Sequence, residues 1–101
     1  MYVVENRLSV VEEFEEDFIE RFETQFEQIR QQDGLERVEL LIPKESDHYV
    51  IKAYWDSQDA FERWRHSEAF QRAHEDIPEE MFTEPNQLNT YEQVLMVSSD
   101  R

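Results

Sequence analysis

The sequence contains no cysteine, one glycine, three prolines and only two lysines, Lys44 and Lys52. Without cysteine, neither disulfides nor thiolate chemistry is available. Basic residues are also scarce: 10 Lys and Arg stand against 25 Asp and Glu, a net charge of -15. That balance excludes a nucleic-acid binder, because neutralising phosphates needs clustered cations. It equally excludes docking on an anionic membrane. No apolar run is long enough for a membrane span or a signal-peptide core, so the expected location is cytoplasmic. No flavin or nicotinamide fingerprint is present.

What is present argues for a folded protein. Hydrophobic residues make up 39% of the chain, and seven Phe, four Tyr and two Trp oppose disorder despite the charge. Length fits one domain spanning residues 1–101. A core this small gains from burial against a second copy. Dense carboxylates with little Lys look like adaptation to high salt, where screening weakens self-repulsion. An ordinary acidic protein is the alternative.

Residues 2–10 read as a strand. Its alternation puts Tyr2, Val4, Asn6 and Leu8 on one face and Val3, Glu5 and Arg7 on the other. An asparagine thus sits on an apolar face, and such inconsistencies are often functional. Residues 12–32 read as an amphipathic helix, with Phe14, Phe18, Phe22 and Phe26 recurring every fourth position. Its other face carries Glu12, Glu13, Glu16, Glu20, Glu23 and Glu27, and Asp33-Gly34 should stop it. Residues 35–43 and 48–55 read as a strand hairpin around the turn KESD. Residues 57–75 read as a helix or a broken pair, capped by Ser57, with a break near His66-Ser67. Residues 76–88 read as a loop, 89–97 as the last strand and 98–101 as a tail. No internal repeat or linker is visible.

The order β-α-β-β-α-β predicts an α+β, ferredoxin-like fold with both helices on one sheet face. The other face also carries apolar residues and should pack on a second copy, giving a dimeric α+β barrel. A cavity is expected between each sheet and its own helices. Asn6, Trp64 and His74 should project into it, the last two lying ten residues apart, near three helical turns. Singly each has an ordinary reading: inward Asn bridges backbone, Trp packs in cores, and a lone His is usually a hydrogen-bonded core residue. His48 and His66 fall where simple exposure is the default.

Together these residues carry a resemblance. ENRL near the start, ERF in the first helix and AFERWRHSEAFQRAH resemble the antibiotic-biosynthesis-monooxygenase superfamily across nearly the whole chain. More closely, the pattern AF-x-x-W-x-x-S-x-x-F-x-x-AH looks like the IsdG-type haem-degrading monooxygenases of Gram-positive iron acquisition. The resemblance implies that haem is both substrate and cofactor, with Asn6, Trp64 and His74 as the catalytic set. His74 would ligate the haem iron, Asn6 would hydrogen-bond on the distal side, and Trp64 would press the macrocycle out of plane. Phe22 would line the haem pocket. Electrons would come from an external donor, either a separate reductase or a small reductant. Two alternatives stay open: a cofactor-independent monooxygenase of the same superfamily acting on a quinol or polyphenol, and a non-enzymatic haem-binding protein.

Overall fold

A computed structural model describes residues 1–75 and 77–100. Asp76, at the start of the expected loop, and Arg101, at the end of the expected tail, lie outside the described residues. Four strands are present: β1 (Tyr2–Leu8), β2 (Leu35–Leu41), β3 (Tyr49–Trp55) and β4 (Gln87–Glu92). They form one antiparallel sheet in the order β2-β3-β1-β4. Helix α1 (Glu15–Ile29) crosses from β1 to β2, and α2 (Gln58–Arg65) and α3 (Glu68–Ala73) follow β3. This is the expected α+β, ferredoxin-like arrangement.

The core explains why asparagine interrupts the apolar face of β1. Buried side chains on that face form two clusters at opposite ends of the sheet. One gathers Val4, Ala53, Trp55, Ala60 and Phe61. The other gathers Leu8, Phe18, Tyr49 and Met81. On β1, Asn6 stands between Val4 of the first cluster and Leu8 of the second. On β3, Ile51 stands between Ala53 and Tyr49. The middle of the sheet is therefore not sealed by packing, and a cavity opens there.

Several boundaries differ from expectation. The first helical turn is a tight 3-10 turn at Glu12–Phe14, and the α-helix ends at Ile29, well before Gly34. Gly34 instead shapes the turn into β2. Its φ is +86°, and its carbonyl accepts from the Asp56 N–H at 2.8 Å. The second helix is two helices, as the break at His66-Ser67 foretold. Ser67 Oγ donates to the Trp64 carbonyl at 2.6 Å and accepts from the Phe70 N–H at 3.2 Å, ending one helix and capping the next. The last strand begins at Gln87 and stops at Glu92 rather than covering residues 89–97. Its ladder with β1 closes where the Gln93 N–H meets the Met1 carbonyl at 2.8 Å. Beyond that point Val94, Leu95, Met96 and Val97 have no strand beside them and are 67–89% exposed.

Gly34 yields a stability prediction. A Cβ there would stand 2.5 Å from Ala60 Cβ and 2.8 Å from Asp56 Oδ1, at a φ that L-residues avoid. Ala60 is buried and cannot move aside. Gly34→Ala should therefore lower unfolding stability by about 2–4 kcal/mol, strain and overpacking together. A urea titration with an unchanged midpoint would contradict this account of the turn.

Candidate active site

The cavity lies between the sheet and the helices, as two adjoining chambers of about 330 and 510 Å³. Both fall within the ~300–1,000 Å³ usual for small-ligand sites. Asn6, Phe22, Gln25, Ile51, His74 and Asn86 line both chambers. Walls of the first are mainly apolar: Val4, Phe26, Val38, Ala53, Trp55, Phe61, Trp64 and Phe70. The second reaches Arg21, Phe18, Met81 and the loop through Glu84 and Pro85. All four residues singled out from the sequence therefore border one space: Asn6, Phe22, Trp64 and His74.

Each is held by its own local structure. Asn6 projects from β1 opposite Ile51 of β3 and Leu88 of β4. Its Oδ1 accepts from Asn86 Nδ2 at 2.8 Å. Trp64, in the last turn of α2, stacks obliquely on Trp55 at 5.6 Å and meets Phe70 edge-on at 4.8 Å. Phe22 is buried on α1 and packs edge-on against Phe26 at 4.5 Å. His74 is the C-terminal cap residue of α3, and its ring lies 4.2 Å from that of Phe70.

The hydrogen bonding of His74 fixes its chemistry. Nδ1 lies 2.8 Å from the Phe70 carbonyl oxygen. A carbonyl can only accept, so Nδ1 carries the proton and donates. In the neutral ring the lone pair then sits on Nε2. That is the arrangement by which proteins present imidazole to a metal, one nitrogen held by backbone and the other offered. Behind it, Gln25 Nε2 donates to the Ala73 carbonyl at 2.6 Å and ties the end of α3 to α1. The donor set thus suits haem iron. Among the described residues no group of three or more His, Cys, Asp or Glu could hold a bare metal ion.

Several lining residues were not legible beforehand. Gln25 lies about one helical turn beyond Phe22, and its bond reaches to Ala73 on α3, 48 positions away. Arg65 borders the first chamber and Arg21 the second. Asn86 had no sequence signal, because its partner Asn6 is 80 positions away.

The loop carrying Asn86 is fastened to the body. Its Met81 carbonyl accepts from the Val11 N–H at 2.8 Å, and its Thr83 N–H donates to the Ser9 carbonyl at 2.9 Å. Ser9 Oγ donates to Glu84 Oε1 at 2.8 Å, and His48 Nε2 lies 3.2 Å from the same oxygen. The Ser9 hydrogen bond, then that from His48, hold the Glu84 carboxyl below its ordinary 4.5. A depressed carboxylate contributes stability that is present above 4.5 and disappears as pH falls through the folded value. The stability difference between wild type and Glu84→Gln should accordingly shrink as pH falls below 4.5. Denaturation midpoints across that range check this. A difference that grew on acidification would contradict it.

Comparison with known proteins places this site in context. Residues 1–76 match the family model described as antibiotic biosynthesis monooxygenase. A staphylobilin-producing haem oxygenase of Staphylococcus saprophyticus is 42% identical over 78 residues, covering 74% of each chain. Among solved structures, the haem-degrader MhuD from Mycobacterium tuberculosis, with two haems in its active site, superposes at a TM-score of 0.82. It is 22% identical, over 97% of this chain and 100% of that one. SnoaB, a cofactor-independent oxygenase from Streptomyces nogalater in mutant form, gives 0.81 at 21% identity, over 97% of both chains. At these identities the structural matches speak for the fold.

Proposed function

The chain belongs to the antibiotic biosynthesis monooxygenase family, and from that premise we propose that it is a haem-degrading monooxygenase. The observation that carries this reading is His74 at the cavity, with Nδ1 pinned to a backbone carbonyl and Nε2 left for iron. The staphylobilin-producing relative, 42% identical over 78 residues, supports it, and the family match over residues 1–76 spans Asn6, Trp64 and His74.

Haem bound in this cavity would be substrate and cofactor together, supplying the redox-active iron for the oxygenation. The chain's part is binding, orientation and exclusion of water. His74 holds the iron. Phe22, Phe26, Phe61 and Phe70 supply apolar walls, and Trp64, which lines the same chamber, would press on a bound macrocycle. Asn6, with its oxygen already engaged by Asn86, offers its NH₂ group from the sheet side. Arg65 borders the first chamber and Arg21, ion-paired with Asp17 at 3.1 Å, the second, and these are the cations that would meet propionates. Electrons come from an external donor, a separate reductase or a small reductant.

The outer sheet face supports a homodimer. Val3 and Tyr54 are buried there, while Leu41 and Tyr91 are 45% and 49% exposed. Exposed Leu41 and Tyr91, together with Val94–Val97 beyond the end of β4, are apolar side chains that a second copy would cover. Light scattering in high salt should give twice the 12.4 kDa chain mass, and a clean monomer would remove the barrel from this reading. Among the described residues no helix is long and apolar enough to cross a membrane.

A second reading is a cofactor-independent oxygenase acting on a quinol or polyphenol, favoured by the fold likeness to SnoaB. There the Nε2 of His74 would act as a base. Haemin titration separates the two. A saturable shift of the Soret band on binding supports haem, and a haemin spectrum unchanged by the protein supports the quinol.

A further inference from the structure

We propose that Asn86 is the positioning residue for Asn6, turning its carboxamide so that the NH₂ end faces the ligand. The inference rests on the haem reading for what that NH₂ group meets, and on geometry alone for the orientation itself.

A carboxamide has one acceptor oxygen and two N–H donors, at opposite ends of a flat group that can rotate by half a turn. A lone Asn in a cavity can therefore offer either end. Here the choice is made by Asn86, whose Nδ2 donates to Asn6 Oδ1 at 2.8 Å. With the oxygen engaged, donors remain for a bound group.

Strand register explains how residues so distant in sequence meet. β1 pairs with β4 such that Asn6 opposes Leu88 and Arg7 opposes Gln87. Asn86 is the next residue beyond the end of that ladder. It falls on the same face as Leu88 and at the diagonal position to Asn6, within reach of a short side chain. Both residues accordingly line both chambers.

The loop delivers Asn86 with little freedom. Residues 81–84 are pinned by the Met81, Thr83 and Glu84 hydrogen bonds to Val11, Ser9 and His48. Met81 is 1% exposed and anchors one core cluster. Pro85 then fixes the φ of the residue immediately before Asn86. A donor held this way costs less entropy to keep in place than one on a free loop.

Two measurements test the proposal. In the ligand-free protein, the Asn86 side-chain amide signals in a nitrogen–proton spectrum should move when Asn6 is replaced by alanine, as they lose their acceptor. Signals unmoved by Asn6→Ala would overturn the proposal, whatever the protein binds. In the haemin-loaded protein, azide is the probe, since its free end accepts a hydrogen bond from a distal donor. With each variant saturated with haemin, Asn86→Ala should weaken azide by roughly ten-fold, the worth of one hydrogen bond. Asn86→Gln, which keeps the donor, should recover most of that loss. Wild-type azide affinity in Asn86→Ala, or no recovery in Asn86→Gln, would overturn the positioning role. If the wild-type protein takes up no haemin, the haem reading fails, and the ligand-free spectrum still decides whether Asn86 orients Asn6.

Discussion

Replacing His74 by alanine should weaken saturable haemin binding on the order of 100-fold or more. The scale follows from metal sites in general, where loss of a supporting hydrogen bond alone costs about 10–100-fold, and here the ligand itself is removed. The variant should fold normally. His74 is exposed, caps a short helix, and its ring touches only Phe70 among the aromatic groups. Added imidazole should restore the Soret shift by filling the vacated position. Haemin affinity equal to wild type in His74→Ala would refute the ligand assignment. His48 and His66 offer no substitute. His48 faces Glu84 at 3.2 Å and His66 faces Glu62 at 3.5 Å, and neither lines the cavity.

Asn6→Ala should show the opposite pattern, with haemin binding kept and turnover reduced on the order of 100-fold. Asn6 makes no iron contact in this account. It contributes one oriented donor in a largely apolar chamber, and removing a single such donor commonly costs about 10²–10³ in rate. Structural damage should be small, because its side-chain hydrogen bond is to exposed Asn86 and the flanking core residues Val4 and Leu8 remain. The comparison of Kd with single-turnover rate separates the outcomes. A parallel loss of binding and rate would assign Asn6 to haem anchoring instead.

Much of this architecture could be read in the chain. Alternation in residues 2–8 put Asn6 on the inner face, and the structure gives the reason an amide is tolerated there. It sits in the gap between two core clusters, where packing would otherwise be wasted on an open cavity. The Phe stripe placed Phe22 correctly, because helical periodicity is local and the whole stripe faces one sheet. Trp64 and His74 were paired by counting helical turns, yet they stand on separate helices. They share a cavity because Ser67 breaks the helix and reseats it, a local capping signal that the pattern contained.

Nonlocal features were the illegible ones. Residues 93–97 have the composition of a strand, and whether such a segment is one depends on a neighbour to pair with. Within this chain the ladder has already closed at Met1. The end of α1 was misplaced because Gly34 was read as a helix stop, when its positive φ serves a turn packed under Asp56 and Ala60. The partnership of Asn6 with Asn86 depends on register across two strands and on three fastenings of a loop, none visible in either local sequence.

The most direct test of the central claim is a single-turnover reaction. Haemin-loaded protein would be given a reductant under air, with catalase present to remove free peroxide, while the Soret band and released ferrous iron are followed together. The band should bleach and iron should appear in step, one equivalent per haem. A bound Soret band that persists with no iron released would contradict it and leave a protein that holds haem without degrading it.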